Sequence, residues 1–374
     1  MAQESPSEKA IRRTALHALH VELGGKLVAF AGYEMPVQYP LGILKEHLHT
    51  REAAGLFDVS HMGQLELVGD DPVSAIETMV PGDIRGLDDG TTRYTQLTDD
   101  DGGILDDLMV TRDGARLLLV VNAACKDEDI AHIRAGLPAG HELHEFDDRA
   151  LIALQGPSAA TVLSDLGSAG IATMPFMSTT EDTLGNTECR IWRSGYTGED
   201  GYEISCDAGN AEALARLLLS HETVAPIGLG ARDSLRLEAG LCLYGHDIDR
   251  STTPVEAGLL WSIGKRRREE GGFPGAAVVQ RQIAEGVTRR RVGIQPNGRA
   301  PVREGAGLFD EDGAKIGAIT SGGFGPSVGG PVAMGYVETR AAEAGTAVQA
   351  KVRGKMHEAT VARMPFVEQR YYRR

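Results

Sequence analysis

The sequence predicts an α+β protein whose C-terminal region is all β, and three observations lead to this class. Its 374 residues exceed what one ordinary hydrophobic core holds, which favours two or three domains. Two β-hairpins are expected over residues 91–125, among segments that carry the periodicity of helices. From about residue 282 onward, short apolar runs alternate with Gly, Asp and Pro turns, which is typical of a small barrel or sandwich.

Composition and charge exclude several classes of protein. Hydrophobic residues make up 42% and charged residues 24% of the chain, as in soluble globular proteins. No apolar run is long enough to span a membrane, and residues 1–9 lack the apolar core of a secretory signal. A formal net charge of -15 disfavours nucleic acid as a partner.

The cysteines indicate a reducing compartment. They lie far apart and show neither CxxC nor Cys/His spacing, so we expect no zinc site and no disulfide framework. The four are Cys125, Cys189, Cys206 and Cys242. Two basic clusters, at residues 265–268 and 289–291, are candidates for docking an acidic partner, although charge runs are usually solvated faces.

Before the hairpins, one short motif invites a catalytic interpretation. His61 lies beside Ser60 and near Asp58. Neighbours in a strand point to opposite faces, and no G-x-S-x-G turn accompanies them, so a catalytic triad is rejected. In this part of the chain we expect a strand at residues 64–68 and helices at 14–23, 43–54 and 72–79.

The central hairpins carry the first candidates for chemistry, Asp106 and Asp107. Their strands are expected at residues 94–97, 104–111 and 117–121. Side chains alternate along a strand, so the two aspartates lie on opposite faces that are otherwise mostly apolar. An ionised carboxylate there costs several kcal/mol unless a cation, a donor set or a ligand compensates it. Alternatively, one aspartate faces solvent and the other accepts N–H bonds from the Gly-Gly turn.

After a helix at residues 126–137, the chain continues with a buried strand at 151–155 and a hairpin around a glycine-rich loop at 194–201. Such glycines either admit a close approach or make tight turns. Glu203 lies on the polar side of its strand, and alternation alone predicts that it is exposed.

Arg232 occupies an unfavourable place, the first turn of a helix opened by Gly228 and Gly230. The guanidinium therefore either binds a carboxylate ligand or pairs internally with Asp233 or Glu238. The glycines complete no dinucleotide fingerprint, and the glycine-rich stretch at residues 321–330 lacks Gly-Lys-Ser/Thr, so we expect no nucleotide cofactor.

Six sequence blocks together resemble the aminomethyltransferase, or T-protein, family of the glycine cleavage system. They are residues 30–36, 55–63, 102–108, 195–201, 228–233 and 243–248, in the order of the family. The resemblance implies three domains in a clover leaf around a central folate site. It places residues 1–60 and 148–245 in the first domain, 61–147 and 246–281 in the second, and 282–374 in a C-terminal β-barrel.

The resemblance also implies the reaction. An aminomethyl group held on the lipoyl arm of the H-protein passes to tetrahydrofolate, with release of ammonia and formation of 5,10-methylenetetrahydrofolate. The expected partners are therefore the lipoylated H-protein and tetrahydrofolate as co-substrate, with no metal. The expected location is the cytoplasm, or the mitochondrial matrix for a protein whose presequence has been removed.

Site residues follow by matching positions of the family motifs. Asp107 would be catalytic, favouring the nucleophilic form of folate N5. Glu203 would bind the amino groups of the pterin, which overrides its expected exposure, and Arg232 would contact folate. The other expected pocket residues are Tyr371, Tyr94, Tyr196, Tyr244, Met62 and Trp261.

Two alternatives share the fold. One is a folate-binding iron–sulfur assembly factor without transferase activity, whose Lys-Gly-Cys motif continues into Gly-Gln-Glu; residues 240–247 lack the Gln-Glu. The other is a folate-dependent demethylase, which shares the acidic residues. Related oxidases carry a flavin domain with a dinucleotide fingerprint, which is missing here.

Overall fold

A computed structural model describes residues 11–168 and 170–373. The prediction about a secretory signal at residues 1–9 lies outside this part of the chain. The nine α-helices in the described residues are α1 (His17–Glu22), α2 (Ile43–Glu52), α3 (Pro72–Glu77), α4 (Lys126–Gly136), α5 (Ala159–Asp165), α6 (Ala211–Leu219), α7 (Leu229–Glu238), α8 (Lys265–Glu270) and α9 (Ala276–Glu285). None of these helices combines the length and the apolar character needed to cross a bilayer.

The strands form two open sheets, a small hairpin and a barrel. The first thirteen are β1 (Lys26–Phe30), β2 (Tyr33–Gln38), β3 (Ala54–Asp58), β4 (Gly63–Gly69), β5 (Thr92–Thr98), β6 (Ile104–Asp113), β7 (Arg116–Val121), β8 (His141–Glu145), β9 (Arg149–Gln155), β10 (Thr179–Leu184), β11 (Thr187–Trp192), β12 (Gly201–Asp207) and β13 (Val224–Pro226). The remaining six are β14 (Arg289–Pro296), β15 (Gly307–Phe309), β16 (Lys315–Gly325), β17 (Gly330–Glu338), β18 (Ala347–Val352) and β19 (Lys355–Ala362).

A six-stranded sheet in the order β10-β11-β12-β9-β3-β13 is covered on both faces. On one face Ile152 and Leu154 of β9 pack against α1, α5 and α6. On the other face Leu151 and Ala153 pack against α7. Burial on both faces explains the continuous apolar run of β9, because neither set of side chains meets water.

A five-stranded antiparallel sheet in the order β5-β6-β7-β4-β8 contains both predicted hairpins. Its core is closed by α3 and α4, with Ile130 and Ile133 of α4 fully or almost fully buried. In the β5–β6 pair Gln96 lies opposite Asp107, and Leu97 lies opposite Asp106. This register places Asp107 on the same face as the side chains of Tyr94 and Gln96.

The C-terminal strands close into a six-stranded antiparallel barrel, in the order β14-β17-β16-β15-β18-β19 with β19 pairing back to β14. Of the two predicted architectures, barrel and sandwich, the barrel is therefore confirmed. After β19 the chain returns to α7, where the Phe366 amide donates to the Glu238 carbonyl at 2.8 Å. The Arg370 amide donates to the Gly198 carbonyl at 2.8 Å. The tail thus ties the barrel to α7 and the glycine-rich loop.

Two local predictions are corrected, and one of two open alternatives for the glycine-rich loop is supported. Helix α2 ends at Glu52, two residues early, because the chain enters the unpredicted strand β3 at Ala54. In the glycine-rich loop, a Cβ on Gly195 would lie 1.9 Å from Oε1 of Gln155, so this glycine admits a protein side chain. The cluster at residues 265–268 is not simply solvated, since Arg266 pairs with Asp83 at 2.6 Å.

Candidate functional site

The two central aspartates are held by one amide. The side-chain nitrogen of Asn122 donates to Oδ1 of Asp106 at 2.8 Å and to Oδ1 of Asp107 at 2.7 Å. Asn122 directly follows β7, so the β6–β7 pairing brings it beside both carboxylates. Asp106 is fully buried and Asp107 is partly buried. Neither aspartate caps the Gly-Gly turn, because the Gly103 amide donates to Asp99 instead, at 2.8 Å. The alternative interpretation from the sequence is therefore wrong.

The environment of Asp107 makes its proton easy to exchange near neutrality. Burial and the adjacent negative charge of Asp106 raise the pKa of Asp107 to about 7. Hydrogen-bonding contacts with Tyr94 and Asn122 oppose that rise by favouring the ionised carboxylate. A carboxyl group whose pKa lies near the working pH is suited to acid–base chemistry.

Two aromatic rings form a wall beside Asp107. The charge of Asp107 acts on the phenol of Tyr94, and the Tyr94 ring stacks on Trp261 with 5.4 Å between centroids. Trp261 is 67% exposed, so a large part of its indole is free to contact a ligand. Tyr244 packs with Tyr94 around Ile104 and Cys242. This group offers flat apolar surfaces suited to a planar ring system.

Arg232 has no ion-pair partner of its own among the described residues. Asp233 pairs with Arg236 at 2.8 Å, and Glu238 pairs with Arg51 at 3.1 Å. The predicted alternative, an internal pair between Arg232 and either of these acids, is therefore wrong. The guanidinium instead lies 4.8 Å from the centroid of the Tyr196 ring. Burial lowers the pKa of Arg232, and the charge of Glu203 opposes that effect.

Glu203 is partly buried on β12, so the exposure predicted from strand alternation is wrong. That face of the sheet is covered by α7, which also carries Arg232. The Ser194 hydroxyl donates to Oε2 of Glu203 at 2.5 Å and fixes the carboxylate. The negative charge of Glu203 also acts on Arg232.

Tyr196 connects the two halves of the site. Burial raises the pKa of Tyr196 well above its usual value, the charge of Asp107 adds to that rise, and Arg232 opposes it. Its hydroxyl donates to the carbonyl oxygen of Cys242, which fixes the ring. The acid of the five-stranded sheet and the cation of α7 therefore both act electrostatically on the same aromatic residue.

Met62 and Tyr371 lie apart from these contacts. Met62 packs on the face of the six-stranded sheet that α7 covers. Tyr371 stacks on Phe176, with 4.1 Å between ring centroids, and the charged groups that act on it are Arg373, Arg51 and Glu199. Ring contacts and electrostatic interactions among the described residues thus relate seven of the nine predicted site residues, namely Asp107, Tyr94, Trp261, Tyr244, Tyr196, Arg232 and Glu203.

Comparison with known protein families agrees with this architecture. The family described as GCVT N-terminal domain matches residues 16–267. The family described as glycine cleavage T-protein C-terminal barrel domain matches residues 289–368, which contain the barrel. The chain belongs to the glycine cleavage T-protein family. Its role is accordingly that of the aminomethyltransferase of the glycine cleavage system.

Similar T-proteins cover almost the whole chain. Mitochondrial aminomethyltransferase from Dictyostelium discoideum is 46% identical, over 98% of this chain and 94% of that protein. The enzyme of the same name from Gallus gallus is 47% identical, over 98% of this chain and 95% of that protein. The crystal structure of glycine cleavage system aminomethyltransferase T from Bartonella henselae matches with a TM-score of 0.92 at 46% identity, covering 97% of this chain and 100% of that chain.

Two residues of this T-protein site escape prediction from sequence. Asn122 could have been found from hairpin register, because the residue after β7 continues opposite Asp107. Asp129, on the first turn of α4, is 3% exposed and its carboxyl group contacts that of Asp106. Its position depends on how α4 packs on the sheet, for which the sequence offers no local signal.

Proposed function

We propose that this chain transfers the aminomethyl carbon from the lipoyl arm of the H-protein to tetrahydrofolate, releasing ammonia and forming 5,10-methylenetetrahydrofolate. The observation that carries the proposal is that Arg232 lies over the ring of Tyr196 while the charge of Asp107 acts on the same residue. One group is an acid with a pKa near neutrality, and the other is a cation without its own ion pair in the described residues. A polar heterocycle with an acidic tail would be complementary to both.

The residues present fit a folate. Glu203 offers carboxylate oxygens to the amino groups of the pterin, and Arg232 offers N–H donors to its polar atoms or to the acidic tail. Tyr94, Tyr244 and Trp261 offer faces against which the ring system can pack. Tyr196 sets the spacing between acid and cation. Tyr371 and Met62 are proposed as outer contacts with the substrate.

The reaction requires positioning of the two substrates and transfer of protons, rather than a covalent nucleophile on the protein. Tetrahydrofolate supplies two nitrogen atoms for the methylene carbon, and the two protons that they lose appear on ammonia and on the freed thiol. Asp107 is proposed to hold and release a proton beside the reacting nitrogen. Its negative form also stabilises positive charge that develops there. The side-chain amide of Asn122 fixes the orientation of this carboxylate through a hydrogen bond of 2.7 Å.

The test is ammonia release from aminomethylated H-protein on addition of tetrahydrofolate. We expect release that depends on both compounds, with 5,10-methylenetetrahydrofolate formed in equal amount. H-protein loaded with the aminomethyl group but given no folate is the control. Absence of folate-dependent release, together with methyl transfer from a methylated amine or sulfonium compound, would instead establish the demethylase alternative.

Domain boundaries and location are part of the same proposal. We propose three domains. Residues 1–60 and 148–245 form the first, residues 61–147 and 246–281 form the second, and residues 282–374 form the third. The separate hydrophobic cores of the two open sheets and the barrel support this division. We propose a cytoplasmic location, or the mitochondrial matrix by analogy with relatives that are named mitochondrial. The four cysteines are all free thiols, which supports a reducing compartment.

A further inference from the structure

A third carboxyl group lies behind the central pair. Asp129 is 3% exposed, and its side chain is in hydrogen-bonding contact with Asp106. Asp106 in turn accepts hydrogen bonds from the side chain and the backbone amide of Asn122, at 2.8 and 3.3 Å. Asn122 also holds Asp107. The order of contacts is therefore Asp129, Asp106, Asn122 and Asp107.

These three acids cannot all be ionised. The other titratable groups that act on Asp129 or lie beside it are Asp106, Asp107, Glu128, Cys125 and Tyr244. The nearby cation, Arg250, is directed toward the exposed carboxylate of Glu128 at 3.7 Å. Three buried or partly buried negative charges with one neutral amide between them would repel one another strongly.

Hydrogen-bond geometry indicates where the proton lies. Oδ2 of Asp129 is buried and receives no hydrogen bond from any N–H or O–H group in the described residues. An ionised carboxylate left in that state would be costly, whereas a protonated one can donate to Asp106. Asp106 differs because Asn122 already supplies it with two donors. Burial and the contact with Asp106 raise the pKa of Asp129 to about 10.

We propose that Asp129 is a positioning residue that remains protonated and donates a hydrogen bond to ionised Asp106. The ionised Asp106 then holds the Asn122 amide in the orientation that binds Asp107. The charge of Asp106 also keeps the pKa of Asp107 close to neutrality. The inference rests on the proposed function only in that Asp107 acts in the folate reaction.

The test compares two substitutions of equal size. Asp129→Asn keeps an N–H donor toward Asp106, so we expect kcat within about threefold of wild type and an unchanged pH profile. Asp129→Leu removes the donor, so Asp106 takes up the proton and Asp107 is less repelled. We expect kcat to fall at least about tenfold and the acid limb of its pH profile to move to lower pH. Arg134→Gln, an exposed residue of the same helix that pairs with Glu145, is the control and should behave as wild type.

A spectroscopic measurement keeps the inference testable if Asp129→Leu does not fold. The infrared C=O stretch of a protonated carboxyl group should persist at about pH 8.5 in the wild-type protein and disappear in Asp129→Asn. That pH lies roughly between the pKa of Asp107 and the pKa of Asp129. Absence of the band in wild type, or equal impairment of the Asn and Leu variants, overturns the proposal. Those outcomes leave wild-type turnover intact, whereas failure of the proposed function would show as no folate-dependent ammonia release by wild type.

Discussion

The guanidinium of Arg232 lies 4.8 Å from the centroid of the Tyr196 ring, and the charge of Asp107 acts on the same phenol. Arg232 belongs to α7, which covers the six-stranded sheet, whereas Asp107 belongs to the five-stranded sheet. The site therefore lies where these two parts of the fold meet. A residue from each part can then be changed separately, one to test binding and the other to test turnover.

Replacing the cation should weaken folate binding. For Arg232→Gln we expect the KM for tetrahydrofolate to rise about 10- to 100-fold, because hydrogen bonds to charged groups contribute about 1.5–3 kcal/mol. Steady-state kinetics with saturating aminomethylated H-protein measures this. Asp233→Asn is the control, since Asp233 pairs with Arg236 and should leave this KM within about twofold. Equal effects of both variants would contradict the assignment.

The outer contact proposed for Tyr371 can be separated from its packing. Tyr371→Phe should preserve the stack on Phe176, which has a centroid separation of 4.1 Å, and hence the melting temperature. If the phenol contacts the substrate, KM for tetrahydrofolate should rise about threefold or more. The neighbouring Tyr372→Phe is the control, because Tyr372 lies under Arg193 at 4.0 Å. An unchanged KM in Tyr371→Phe removes Tyr371 from the site.

A buried ion network should dominate the stability of the contact between α7 and α2. Glu238 pairs with His47 at 3.0 Å and with Arg51 at 3.1 Å, and all three side chains are buried. Glu238→Gln should lower the free energy of unfolding by about 3 kcal/mol, because it removes one of the two carboxylates that pair with the buried Arg51 guanidinium. Urea unfolding measures the loss. Glu304→Gln breaks the exposed pair with His246 and should cost at most about 1 kcal/mol.

The same network predicts a pH dependence with a definite sign. Burial favours the neutral form of Glu238, but hydrogen bonds from His47 and Ser327 and the charge of Arg51 prevail and lower the pKa of Glu238 to about 2. A lowered carboxyl pKa adds stability above the unfolded value of about 4.3. That stability is lost as pH falls from about 4 to 2. The difference between wild type and Glu238→Gln should therefore shrink over this range.

The sequence predicts those features of the fold and the site that are set by residues close together in the chain. Alternation along β6 was enough to single out Asp106 and Asp107, and turn residues were enough to place both hairpins and an all-β C-terminal region, although not its last strand, β19. Family blocks then selected Asp107, Glu203 and Arg232. Strand β3 was missed because its apolar residues follow directly after helix α2, without a turn signal.

Other features are set by tertiary packing. Glu203 was expected to be exposed because alternation cannot show that α7 covers its face of the sheet. Of the two alternatives for Arg232, the internal ion pair was wrong, because Asp233 pairs with Arg236 and Glu238 pairs with Arg51. Asp129 reaches Asp106 only after α4 has packed on the sheet. Such contacts join segments that no local pattern relates.

Ionised Asp107 should lower the free energy of unfolding of the protein. Its pKa is raised to about 7, so ionising it destabilises the native state progressively from the unfolded value of about 4 up to pH 7. Asp107→Asn removes that cost. We expect the variant to melt at a higher temperature than wild type at pH 8, with the difference shrinking toward pH 4. A variant that is less stable than wild type at pH 8 would contradict the burial-driven shift.

The most direct measurement is the turnover of Asp107→Asn in folate-dependent ammonia release. We expect kcat to fall by roughly two orders of magnitude or more, with KM for tetrahydrofolate within a few-fold of wild type. Asp100→Asn, an exposed position in the adjacent turn, should retain full turnover. Near-normal turnover of Asp107→Asn would show that this carboxylate takes no part in the reaction.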